Sequence, residues 1–113
     1  MKINFKFNAT IVDEIEQAKG KLPIENIVTD TTLSNLALFV MKAGIDDVGR
    51  VGFTKNSALR MIDEYLEDEN NDKNTLAFDI MEALADAGFL SRQMDVKAFR
   101  QQQETLIQEA NQR

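Results

Sequence analysis

Hydrophobic and polar residues alternate strictly at the start of the chain. In "KINFKFN", residues 2–8, Ile3, Phe5 and Phe7 fall on one side, and lysine and asparagine residues fall on the other. This two-residue period is typical of a β-strand with one buried face. Because a single strand leaves backbone hydrogen-bonding groups unsatisfied, we expect it to pair with a second short strand, with another copy or with a partner. One candidate for the second strand is "RVGF" at 50–53. An apolar strand edge is also a natural site for adding a strand from another chain.

Most of the remaining chain has hydrophobic residues at the three- and four-residue spacing of amphipathic helices. The predicted helices span residues 9–19, 33–43, 55–67, 75–87 and about 94–111, and residues 24–28 fit either a short helix or an extended piece. The candidate N-terminal caps are Asn8, one of Asp30, Thr31 and Thr32, one of Thr54 and Asn56, and Asn74. The segment 33–43 is the most hydrophobic, and we expect it to be the central helix.

Two segments depart from this pattern. "GIDDVGRVGF", residues 44–53, is rich in glycine and is interpreted as a flexible linker. In the last helix Gln103 breaks the hydrophobic stripe, so this helix is either partly buried or packs against another chain. With no internal repeat, the sequence predicts a single domain over 1–113 that is mainly α. We expect a compact bundle of about five helices with a short N-terminal β-strand or a small hairpin, and a partly exposed C-terminal helix within 92–113.

Composition limits the chemistry that the chain can perform. Of its 113 residues 43% are hydrophobic, enough for a folded core, and there is no cysteine and no histidine. The chain therefore has no thiol. Without histidine it also lacks the side chain that most often transfers protons near neutral pH, and without both it lacks the usual ligands of zinc. The carboxylate pairs Asp63–Glu67 and Glu82–Asp86 lie one helical turn apart, on polar faces that do not predict acid–base catalysis. We expect a protein that is not an enzyme, with no catalytic residue, cofactor or metal.

The charge of the chain is acidic and unevenly distributed. The net charge is −6, and residues 63–72 hold six acidic residues and no basic one. Since nucleic-acid binding depends on Lys and Arg at phosphates, nucleic acid is not an expected partner. The sequence has no hydrophobic run that predicts a membrane span and no export leader, and the lack of cysteine fits an intracellular protein.

The stretch "DENNDKNTLAFD", residues 68–79, has the outline of a calcium-binding loop. Side chains with oxygen ligands alternate from Asp68 onwards. The sixth position needs glycine for a sharp turn and is Lys73, while the twelfth needs glutamate and is Asp79. We therefore interpret the stretch as a solvated connection between helices.

Taken in order, these segments resemble the tail assembly chaperones of long-tailed bacteriophages and prophages, especially those of Gram-positive hosts. The similarity lies in the alternating start, "TTLSNLALFVMKAGI", "TKNSALRMIDEYLED" and "NTLAFDIMEALADAGFLSR". The similarity is greatest where a helix that ends in acidic residues precedes a helix that ends at Gly-Phe-Leu. The resemblance covers residues 1 to about 92 and consists of size, order and hydrophobic register. The family usually begins with two strands around a turn, of which one is evident here.

The resemblance implies a non-enzymatic binding protein in the cytoplasm of the host bacterium. Members of the family bind the long helical tape-measure protein, keep it soluble and help the tail-tube protein assemble around it. A client of this kind can be held by apolar grooves or by strand addition. The residues predicted to contact a partner are Phe5, Phe7, Val96, Phe99, Leu106 and Ile107. Each of them also fits a place in the core, and both roles stay open.

Two other functions are compatible with the sequence. One is a small helical transcriptional regulator, because the helices within 54–111 can imitate helix-turn-helix spacing. Few basic residues and the acidic segment 63–72 argue against it, and salt-sensitive retention on heparin would favour it. The other is a structural subunit of a phage or prophage particle.

Overall fold

Five helices and two short strands occur in the part of the chain that the structure, a computed structural model, describes: residues 1–49, 51 and 54–91. In chain order they are β1 (Ile3–Phe5), α1 (Ala9–Ala18), α2 (Ile24–Ile27), α3 (Leu33–Ala43), β2 (Gly44–Asp46), α4 (Lys55–Leu66) and α5 (Lys73–Asp86). The prediction of a mainly helical fold with a short N-terminal strand is confirmed, and the segment after Pro23 takes its helical alternative. The predicted C-terminal helix within 92–113 lies outside the described residues. None of the described helices is both long and apolar enough to cross a membrane.

β1 and β2 form an antiparallel two-stranded sheet. The register places Ile3 opposite Asp46, Asn4 opposite Ile45, and Phe5 opposite Gly44. The backbone N–H of Lys6 donates to the carbonyl oxygen of Ala43 at 3.1 Å and continues the ladder. The N-terminal strand thus has an antiparallel partner, which follows α1, α2 and α3 in the chain. Of "RVGF", only Val51 lies among the described residues, and it makes an isolated bridge with Ile45 of β2.

β2 follows α3 without a loop, and the prediction of a flexible linker is wrong for this part of the segment 44–53. A Cβ atom added to Gly44 would lie 2.8 Å from the carbonyl oxygen of Val40 and 3.2 Å from Cγ2 of Ile3. Glycine is therefore required here because a side chain would collide with the last turn of α3 and crowd Ile3, and not because the backbone must be mobile.

Most of the predicted helix caps are confirmed. Side chains accept hydrogen bonds from the first turns of α1, α3 and α4 at Asn8, Thr32 and Thr54. The cap of α5 is Asp72, and the prediction of Asn74 is wrong. The N–H of Thr75 donates to Oδ1 of Asp72 at 2.8 Å, and the N–H of Asp72 donates to Oγ1 of Thr75 at 2.9 Å. This reciprocal pair satisfies two backbone donors, and the helix therefore begins nearer the N-terminus than predicted.

α3 is the central helix, as its hydrophobicity predicts, and it contacts α1, α4, α5 and both strands. The largest fully buried apolar and aromatic side chains are Tyr65, Phe39, Ile3, Ile15, Leu36, Ile62, Leu76, Ile80, Leu84 and Val40. They come from β1 and from every helix except α2. Removing such side chains from water contributes about 1.5–3 kcal/mol each and is the main stabilising term of the fold.

One amide side chain, that of Asn35 in α3, is completely buried. Its Nδ2 donates to the carbonyl oxygens of Ile27 at 2.8 Å and Asp30 at 2.7 Å. Its Oδ1 has no hydrogen-bond partner among the described residues. With both donors satisfied, the side chain fixes the connection between α2 and α3 against the core.

Candidate partner-binding groove

Phe5 and Phe7 are the two predicted contact residues that lie in the described part of the chain. The others, Val96, Phe99, Leu106 and Ile107, lie outside it. Both rings are half-buried and pack against the core. Their planes are nearly parallel, at 8°, with centroids 6.2 Å apart, and Phe7 meets Phe39 edge-on at 6.1 Å. The two rings thus contribute to packing and still keep part of their surface exposed.

The edge of β1 that faces away from β2 has no strand beside it within the described residues. The backbone N–H groups of Lys2 and Lys6 point towards β2, where each donates to an acceptor at 3.1 Å. Because successive residues of a strand direct their N–H groups to opposite edges, those of Ile3 and Phe5 point to the outer edge. Ile3 is buried and Phe5 is half-buried, so part of this edge is covered and only Phe5 keeps surface at which another extended chain could pair.

α5 runs beside this outer edge, and together with residues 2–5 it lines a groove of about 180 Å³. The residues of α5 that line the groove are Asp79, Glu82, Ala83 and Asp86. These positions have the three- and four-residue spacing of a single helix face. Three carboxylates therefore follow one another along the wall that faces β1.

A larger cleft of about 580 Å³ adjoins this groove near the start of β1. It is lined by the loop between α4 and α5, by residues beside the two strands, and by Tyr65 and Thr75. Lys2 and Asp79 line both depressions. Since the two depressions share these residues, they are together called the β1–α5 groove.

The β1–α5 groove is strongly acidic. Its carboxylates are Asp47, Asp68, Asp79, Glu82 and Asp86, and Lys2 is the one basic side chain among its lining residues. The carboxylate of Asp47 accepts from the backbone N–H of Lys2 at 3.1 and 3.3 Å, so it also helps to fix the start of β1. This charge attracts cationic groups and repels phosphates.

Hydrogen bonds around Tyr65 hold the wall of the larger cleft in place. Its buried hydroxyl lies 2.7 Å from Oγ1 of Thr75 and 3.4 Å from Oδ2 of Asp79. Nδ2 of Asn71 donates to the carbonyl oxygens of Tyr65 at 2.9 Å and Met1 at 3.4 Å. Helical periodicity places Tyr65 on an apolar face and predicts none of these partners. The one available signal is that a buried tyrosine hydroxyl usually requires a hydrogen bond.

Within residues 1–49, 51 and 54–91, no group of three or more carboxylate, histidine or cysteine side chains is placed to hold a metal ion. The β1–α5 groove instead offers backbone hydrogen-bonding groups, part of an aromatic ring and negative charge, which suit the binding of a polypeptide. Compared with known proteins, the chain matches no family model, no curated protein and no solved structure.

Proposed function

We propose that this chain is a non-enzymatic tail assembly chaperone of a long-tailed bacteriophage or prophage. It binds the tape-measure protein in the cytoplasm of the host bacterium and aids assembly of the tail-tube protein around it. The observation that carries the binding role is the outer edge of β1, which lacks a neighbouring strand among the described residues and borders the acidic groove. The identity of the client follows from the sequence resemblance.

The size of the exposed edge suits an assembly factor that must release its client. β1 is three residues long, and of the two residues whose backbone groups point to its outer edge, Ile3 is buried and Phe5 is half-buried. Each hydrogen bond formed there contributes a net of about 0.5–1.5 kcal/mol, because it replaces a bond to water. Pairing at this edge is therefore weak and reversible, and it depends little on the sequence of the client.

Composition supports a role in binding rather than catalysis. The chain has neither cysteine nor histidine, so the groups most often used as nucleophile, proton carrier or zinc ligand are missing. Its net charge of −6 keeps it soluble and away from nucleic acid while it holds a client with exposed apolar surface.

The binding role can be tested by expressing the tape-measure protein of the same phage or prophage with and without this chain. We expect the tape-measure protein to stay in the soluble fraction and to co-elute with the chain from a size-exclusion column. An unrelated acidic protein of similar size serves as the control. A tape-measure protein that precipitates equally in both cases contradicts the proposal.

Two substitutions of one residue separate the strand edge from the aromatic ring. Phe5→Pro removes the N–H at the outer edge, whereas Phe5→Ala removes the same ring and keeps that N–H. Proline is tolerated at an edge position whose N–H does not pair with the neighbouring strand, so β2 should remain in place. We expect Phe5→Pro to release more of the client than Phe5→Ala. Equal effects of the two variants would show that the backbone edge is not used.

A further inference from the structure

We draw no further inference here: the strongest candidate, the exposed acidic end of α5 beside the half-buried ring of Phe5 in the β1–α5 groove, belongs to the site already described, and nothing in the described part of the chain shows what covers it.

Discussion

Two connections between helices are held by the same chemical device in very different surroundings. Between α2 and α3, Asn35 donates to two carbonyl oxygens at 2.8 and 2.7 Å and is completely buried. Between α4 and α5, Asn71 donates to two carbonyl oxygens at 2.9 and 3.4 Å beside the β1–α5 groove and is partly exposed. Each side chain replaces hydrogen bonds that a helix end and a loop would otherwise make to water.

The comparison separates a connection that fixes the fold from one that shapes a surface. Where water cannot enter, the loss of a donor leaves carbonyl groups buried and unsatisfied, which costs more than the hydrogen bond itself contributed. Where water can enter, it replaces most of what is lost. The connection between α2 and α3 should therefore tolerate little change, while the one beside the groove should tolerate more.

The largest effect is expected from Asn35→Ala. It leaves the carbonyl oxygens of Ile27 and Asp30 without their buried donor, and we expect the free energy of unfolding to fall by about 2–3 kcal/mol. Urea denaturation at neutral pH measures this. Asn26→Ala, at an exposed position in α2, is the matched control and should change stability by less than about 0.5 kcal/mol. Equal losses of stability in the two variants would show that burial does not set the cost of removing an asparagine side chain.

A smaller effect is expected from Tyr65→Phe. The variant keeps the buried ring and removes the hydroxyl that lies 2.7 Å from Oγ1 of Thr75, so the free energy of unfolding should fall by about 1 kcal/mol. Repeating the substitution in an Asp79→Ala background, which removes the acceptor, tests the longer contact of 3.4 Å. We expect the cost to stay nearly the same, because Thr75 is the main partner. A cost that vanishes there would make Asp79 the main partner.

A still smaller effect is expected from Asn71→Ala. Water can reach this partly exposed site, so the free energy of unfolding should fall by about 0.5–1 kcal/mol. The control is Asn70→Ala, the exposed neighbour in the same loop, which should be close to neutral. Thermal unfolding of both variants provides the measurement. If Asn71→Ala costs as much as Asn35→Ala, exposure does not set the strength of these contacts.

The smallest effect is expected from the pH dependence contributed by Asp30. The backbone N–H of Thr32, with a second contribution from its side chain, holds the pKa of this exposed carboxyl below its usual 3.8. Because the folded-state pKa is the lower one, the stabilisation is complete above pH 3.8 and is lost as pH falls through the folded value. The difference in stability between the wild type and Asp30→Asn should therefore shrink in acid. Asp13→Asn, in α1, controls for loss of an exposed charge, and an NMR titration of Asp30 gives its pKa directly.

Local features of the fold could be predicted because local residues determine them. Asn8, Thr32 and Thr54 each cap a helix through a backbone group three residues away, within reach of a sequence pattern. The start of α5 could not be predicted from that pattern, because Asp72 and Asn74 are both suitable cap residues. Asp72 is the cap because it forms reciprocal hydrogen bonds with Thr75.

Long-range features could not be predicted in the same way. Alternation predicts that β1 needs a partner strand but does not identify it. β2 begins with Gly44, which suggests a flexible segment in the sequence, and only the structure shows its close contacts with Val40 and Ile3. The acidic pair Glu82–Asp86 is visible in the sequence, yet its meaning changes once α5 is found beside the edge of β1. The alternation of one segment places Phe5 and Phe7 on the side that packs against the core, and their role as partner contacts stays a prediction.

The separation of the two strands along the chain sets the order in which the molecule is completed during translation. Lys2 and Asp47, which are joined beside the sheet, are 45 positions apart, and three helices are synthesised between them. While the chain emerges from a ribosome, the alternating N-terminal segment has neither edge paired until α3 and β2 have followed it. The opposite wall, α5, leaves the ribosome later still. The β1–α5 groove is therefore complete only in a molecule whose synthesis has passed α5.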